Sequence, residues 1–568
     1  MKISVKRGLT LATAAVAIIA LSACTSGGGA SPSASSAPKV PGTGWVSADA
    51  ASVPAGGSLT LAVDATPANW NLNNLDAGTV DDNTLAGVFL PSFVTIKQDG
   101  SWEVDKDFAD SVALKSDSPQ VVEVKINPKA VWSDGTPMSY EDFAATWKSL
   151  NGKDEAYAPI STNVWSDISS VTAGTNAQDV LLTFKNKNAD WPSILGAIWP
   201  KWLGDTPAHF NSSWATGPYA ADGKSYVSGS AFVLSKFDPT GQVVTFAPNP
   251  KWWGEKPKLD SLIFKTVSRA GLAQAYANKE IDVLNTYSNA DNFATAKKRT
   301  DGEIQRSLST TYRHITLNGT ASVFKDVKVR TAFAKALNRS VIAQARLAPV
   351  GSPTTLLGNL IYLPGQDGYA DDAQKVIGYD TAGAKKILED AGYKAGSNGI
   401  YAKGGKALSV RFVIPSDNPN SAQVAQQVQA QEKAAGIDVK IDVVPSDDFF
   451  TKYITTKTRD FDATYFAWQG TPFPVSSTES IFYPASSGQN YPGVTDKSLG
   501  KDFAGANGEL DPAKRLKLAQ AIDKKLVALV TTIPLFPETF VFGVKKGLVN
   551  YGPTQFQTVF WQNVGFTK

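Results

Sequence analysis

The chain has 568 residues, with 55 Lys and Arg against 52 Asp and Glu, two His and a single Cys. A lone cysteine excludes an internal disulfide, and so few Cys and His exclude zinc sites built from them, so neither a metal nor another cofactor is expected. The near balance of charge lacks the basic excess of a nucleic-acid binder. About 510 residues from Ser58 onward are too many for one typical core, so two or more lobes are expected.

Lys2, Lys6 and Arg7 precede an uncharged run from Leu9 to Leu21, and small residues then lead to Cys24. A basic start, a short apolar stretch and small residues before a cut describe an export signal, too short for a comfortable membrane span. Leu21-Ser22-Ala23-Cys24 resembles the lipobox of bacterial lipoprotein precursors. That resemblance implies cleavage before Cys24 and a diacylglyceryl group on its sulfur, which would hold the protein on the outer face of the cytoplasmic membrane. A secreted protein with a chance cysteine is the alternative. Without Lys2, Lys6 and Arg7 the basic and acidic counts are equal at 52. The stretch from Ser26 to Pro41, SGGGASPSASSAPKVP, cannot bury a core and reads as a tether. The expected order is therefore a signal over 1–23, a lipidated Cys24 and tether over 24–57, and a folded part from Ser58. No later apolar run is long enough to cross a membrane.

Ser58 to Val63 alternates as a strand and passes into the Asn-rich loop ATPANWNLNN. Val121 to Ile126 predicts another strand. After it, Ser133 to Pro137 supply turn chemistry, Ser139 stands as a helix N-cap with Asp142 three residues on, and Phe143, Trp147 and Leu150 share one helical face. Asp at position 142, where a capping box prefers Glu or Gln, makes that cap less than ideal. Asp380 caps a further helix with Ala384, Ile387, Leu388 and Ala391 as its apolar stripe and Gly392 as its left-handed stop. Leu408 to Ile414, Ala422 to Ala435 and Ile437 to Val443 then read as strand, helix and strand, the usual source of parallel sheet.

The segment WSDGTPMSYEDF resembles the signature of the family 5 extracellular solute-binding proteins, the peptide/nickel-type receptors of ABC importers. ATGPY at 215–219, PNPKWWGEKPKLDSLIFK, ANKEIDVL at 277–284, YRHITLN ending at Asn318, and GYDTAGAKKILEDAGY are similar to further landmarks in the family's order. The resemblance implies an α/β fold of two lobes, the periplasmic-binding-protein-like class II (cluster C) type. It implies a first lobe over 58–318 with an inserted subdomain at about 96–215, a second α/β lobe over 319–532, and a return to the first lobe over 533–568.

Catalytic groups are scarce. His209 and His314 lie far apart in sequence, and Ser498 and Lys501 match an S-x-x-K spacing without its companion motifs. The Gly217 to Ser225 stretch has the wrong spacing for a phosphate loop, and no G-x-S-x-G elbow occurs. The expectation is a protein that is not an enzyme, with an extracytoplasmic hydrolase as the remote alternative.

Ligand groups are expected on loops at strand ends facing the cleft. The first-lobe candidates are Asn69, Trp70 and Asn71, with Trp70 equally readable as a core anchor; Asn318 lies at the crossover. The second-lobe candidates are Trp468, Gln469 and Thr471, in the place where the family presents its contact loop, and Asn490 with Tyr491. Peptide receptors of the family commonly carry an acidic residue in that loop to pair with a peptide ammonium, and this chain has Gln469-Gly470-Thr471 instead; Asp462 or Glu479 could compensate. The expected partners are a small solute, either an oligopeptide or, for a protein of the same fold acting in cell-envelope assembly, a glycan or glycolipid headgroup, and ABC permease subunits with a separate ATPase. A monomer is expected, bound to the membrane through its lipid anchor, with no nucleic-acid partner.

Overall fold

The computed structural model describes residues 40–567 apart from residue 417. Cys24, the signal at 1–23 and the tether up to residue 39 lie outside the described residues. The end of the expected tether is corrected, because ordered backbone begins well before Ser58. The Pro41 carbonyl accepts from Leu308 N–H, Gly44 N–H donates to the Pro553 carbonyl, and Asn550 bonds both N–H and C=O of Ala48. A Gly/Ser/Pro composition does not prevent a strap from lying along a surface that offers backbone partners.

The first lobe is built on two four-stranded sheets. Strand β1 (Ser58–Val63) leads to helix α1 (Val80–Phe89), and β2 (Ala109–Asp117), β3 (Gln120–Ile126), β4 (Ile168–Ala173) and β5 (Asp179–Phe184) make an antiparallel sheet in the order β2-β3-β5-β4. Between them, helix α2 (Tyr140–Leu150) starts where the turn chemistry places it. Ser139 and Asp142 cap each other, with Ser139 N–H donating to Asp142 Oδ2 at 2.9 Å, so the shorter carboxylate completes the box. Strands β6 (Phe232–Asp238), β7 (Val243–Pro248) and β8 (Ser261–Thr266) complete the second sheet, in which β1 runs parallel to β8. One apolar core, with Leu61, Phe89, Phe143, Leu182, Phe246 and Phe264 among its members, serves both sheets.

A six-stranded mixed sheet organises the remainder. Its strands are β9 (Val283–Asn285), β10 (Gly302–Leu317), β11 (Ser409–Pro415), β12 (Asp438–Val444), β13 (Ala463–Gln469) and β14 (Thr532–Lys545), in the order β9-β14-β10-β13-β11-β12. Helix α3 (Thr381–Asp390) has Asp380 as its cap and Gly392 at φ +88°, and α4 (Pro419–Ala434) joins β11 to β12, which are parallel. Helices α5 (Pro474–Phe482), α6 (Leu499–Gly508) and α7 (Pro512–Leu529) follow β13. A second large core gathers Phe333, Leu388, Phe412, Val424, Ile522 and Leu535.

Strand β14 runs from one core to the other, paired along its length with β10. Ile533, Leu535 and Phe536 of β14 lie in the second core, and Val544 lies in the first, followed there by Leu548, Trp561 and Val564. Their pairing breaks between Leu308 opposite Thr539 and Tyr312 opposite Pro537. Ser309 to Thr311 therefore stand against Glu538 alone, a bulge that bends the ladder where it crosses.

Candidate functional site: an inter-lobe cleft

The space between the two cores is lined by elements of both. Its middle is a cavity of about 290 Å³ with Asn163, Trp165 and Ser193 on one wall and Thr471, Phe473 and Ser476 on the other. Asn163, Val164 and Ser476 also line a larger cavity of about 890 Å³. Asn73, Ser193, Gly196 and Ala197 pass into a third, of about 620 Å³, which lies on the first-core side alone, its far wall formed by Phe540, Phe542, Tyr551 and Trp561. Shared lining makes the three one continuous cleft, a size and composition suited to an extended ligand.

Charge is unevenly placed along it. Among the described residues, the middle and aromatic compartments are lined by no Asp, Glu, Lys, Arg or His. Of the three, the largest compartment carries the charged side chains, Asp167 and Lys187 from the first lobe and Glu479 from the second. Asn186 and Asn188 donate to Asp167, and Asn507 Nδ2 donates to Glu479 Oε2 at 2.8 Å. Burial pushes the Glu479 carboxyl above its usual range, the Asn507 hydrogen bond opposes that shift, and the Asp167 charge adds to it.

Thr471 lies in the cleft wall, with its hydroxyl 3.0 Å from Ser477 Oγ and accepting from Phe473 N–H. Gln469 is exposed at the end of β13. Trp468 is half-buried and stacks on Tyr491, with centroids 5.7 Å apart and planes 12° from parallel, and on the buried His314. Burial holds that imidazole neutral, its pKa pushed down to about 3, with the Arg313 charge acting in the same direction.

The asparagine candidates face inward. Asn69 Nδ2 donates to the Asn211 carbonyl and Asn71 Nδ2 to the Phe210 carbonyl, tying the loop after β1 to the segment 207–212. Trp70 is buried against Phe89 and Phe237. Asn318 Nδ2 donates to the carbonyls of Arg459 and Phe461, and Asn490 Nδ2 to that of Phe482, both amides being buried. Asp462 is occupied by Arg411 N–H, whereas Glu479 opens on the cleft.

Asn73, Ser193, Phe473, Ser476 and Phe540 line the cleft without having been singled out by the sequence. Asn73 lies within the Asn-rich loop 65–74 and Phe473 two residues after Thr471, so loop position was their only signal. Ser193 lies in the Trp-rich segment whose Trp191 and Trp199 are packed into the core.

Two lobes, a strand passing from one core to the other and a ligand-sized cleft are the architecture of a two-lobed binding protein. Residues 103–490 match the profile of the bacterial extracellular solute-binding proteins, family 5. The chain belongs to this family, the peptide/nickel-type solute-binding proteins of ABC importers. It is 30% identical over 527 residues to the oligopeptide-binding protein OppA of Mycobacterium tuberculosis (strain H37Rv), across 92% of this chain and 86% of that one. It is 23% identical over 364 residues to the probable monoacyl phosphatidylinositol tetramannoside-binding protein LpqW of the same organism, across 59% of this chain and 55% of that one. Among solved structures, a periplasmic EDTA-binding protein EppA superposes with a TM-score of 0.84 at 23% identity, covering 93% of this chain and 99% of that one. The Bacillus subtilis oligopeptide-binding protein AppA, in complex with a nonapeptide, superposes at 0.73 and 21% identity, covering 91% and 100%.

Proposed function

We propose that the protein captures oligopeptides in this cleft outside the cytoplasmic membrane and hands them to a separate permease and ATPase, without chemistry of its own. The observation that carries this reading is the run of three joined compartments whose middle is walled by hydroxyls, amides and aromatic rings without a charge. Such walls suit a main chain held by hydrogen bonds, with side chains tolerated in the wider compartments. The acidic pair Asp167 and Glu479 at one end suits a positive terminus. The likeness to an oligopeptide-binding protein over most of both chains supports the same choice.

Cys24 is proposed as the lipid anchor of a monomer on the outer membrane face. Residues 58–318 and 533–568 are read as the first lobe, with an insertion at about 96–215, and 319–532 as the second. The passage of β14 into the first core supports that discontinuity.

The test is a thermal-shift titration of the full chain with tri- to nonapeptides, with mannosyl oligosaccharides and phosphatidylinositol mannosides as the competing class. Peptides are expected to raise Tm with concentration. A shift given only by the mannosides would replace the peptide reading with the headgroup one, for which the uncharged aromatic compartment and the LpqW likeness provide support. Turnover of a bound peptide would refute a purely binding role.

A further inference from the structure

Asp190 belongs to the first lobe by sequence and packing, lying beside Trp191 and Ile194 of the first core, yet both of its oxygens are held by the second lobe. Oδ1 is 2.6 Å from Arg515 Nη1 on α7, and Oδ2 accepts from Ser476 N–H at 3.3 Å. Its side chain is 1% exposed. Helix α5 begins after Phe473, which offers no side-chain cap, so the third residue of the helix is capped from the opposite lobe by Asp190. The negative charge also sits where a helix N-terminus favours it.

The arm that carries Asp190 is fixed on its own side. Gln120 exchanges two hydrogen bonds with the backbone of Asn188, and Asn188 Oδ1 accepts from Asp190 N–H. Beside it, Ala189 N–H donates to the Asn507 carbonyl of α6 across the cleft at 2.6 Å. On the second lobe, Arg515 Nε donates to the Ala506 carbonyl, so the guanidinium is held in place to receive the carboxylate.

We propose that Asp190 is a ligand-independent latch: closing the lobes inserts it between Arg515 and the start of α5, so that the closed form is populated before cargo arrives. The same contact makes it a positioning residue, because the first turn of α5 carries Ser476 and Ser477 on the cleft wall. Opening the lobes would return Asp190 and Arg515 to water and leave α5 uncapped. The affinity for any cargo is scaled by the fraction of molecules already closed, so the latch sets binding strength without touching the ligand.

The experiment is hydrogen exchange on the full chain with no ligand added, read at the Ala189 amide, whose bond spans the cleft. In the wild-type protein this amide is expected to be protected. In Asp190→Asn and in Arg515→Gln it is expected to exchange about tenfold to a hundredfold faster, the range for loss of a charge-assisted contact. The double variant should exchange within about threefold of either single one, because each removes the same contact. Amides inside β8 and β11 should keep their protection in all variants. An unprotected wild-type Ala189, unchanged exchange in the single variants, additive effects in the double variant, or equal loss of protection in β8 and β11 would each overturn the latch. Because no cargo is present, these outcomes do not depend on the peptide reading.

Discussion

Arg313 Nε donates to Glu538 Oε1 at 2.6 Å, joining β10 to β14 beside the bulge at which β14 passes between the cores. Both side chains are largely buried, and the guanidinium also lies over the Tyr465 ring. Removing one partner strands the other charge in a poorly solvated place. Glu538→Gln and Arg313→Met are each expected to lower unfolding stability by about 3 kcal/mol. Urea denaturation checks this, and a loss below about 1 kcal/mol in both would show that water replaces the missing partner.

Asn69 and Asn71 supply a contrast between stability and binding. Their amides support the backbone of Phe210 and Asn211 and are buried. Truncation leaves those carbonyls without donors, so Asn71→Ala should lower stability by about 1–3 kcal/mol. Peptide affinity measured well below the melting temperature should change less than about threefold. A large loss of affinity in a variant of unchanged Tm would instead put Asn71 in contact with ligand.

Glu432 on α4 is fully buried, and neither oxygen has a hydrogen-bond partner among the described residues. Burial raises its carboxyl well above the ordinary value. Below the unfolded chain's carboxylate pKa both states hold the proton and nothing is lost. As pH rises past that point the unfolded chain releases the proton while the folded one keeps it, so stability falls by up to about 1.4 kcal/mol per pH unit. Asp523, pushed up to about 7 chiefly by burial, acts with the same sign. Glu432→Gln should flatten the decline in stability between pH 5 and 7, measured by chemical denaturation at each pH. An unaltered slope would mean that the carboxyl is ionised inside the fold.

Local rules were enough to read α2, α3 and the β11-α4-β12 unit, because caps, stops and apolar spacing act within a dozen residues. The cleft was less legible. A loop rich in Asn and Trp can point its side chains outward to a ligand or inward to the backbone, and spacing alone does not distinguish them. For Asn69, Asn71, Asn318 and Asn490 the choice was made by carbonyls more than a hundred residues away, or across a local turn. Residues such as Ser193 and Ser476 become neighbours only when the lobes meet. The strap at 40–57 was misread because composition reports a poor core former and says nothing of backbone partners elsewhere.

The uneven charge of the cleft leads to a directional expectation. If a peptide lies with its amino terminus in the largest compartment, its ammonium meets Glu479 and Asp167, while the uncharged walls beyond meet its main chain. Glu479→Gln should then weaken a free peptide roughly tenfold and leave its N-acetylated counterpart nearly unchanged, since only the former loses a charge-assisted contact. Because burial and the Asp167 charge raise the Glu479 pKa, an incoming ammonium has to favour the ionised form. Binding of the free peptide should therefore release protons and strengthen as pH rises through the carboxylate range. Calorimetry in two buffers of different ionisation enthalpy checks the proton release. Equal affinity for free and acetylated peptides, with no proton release, would place the amino terminus in one of the uncharged compartments and reverse the direction of the chain.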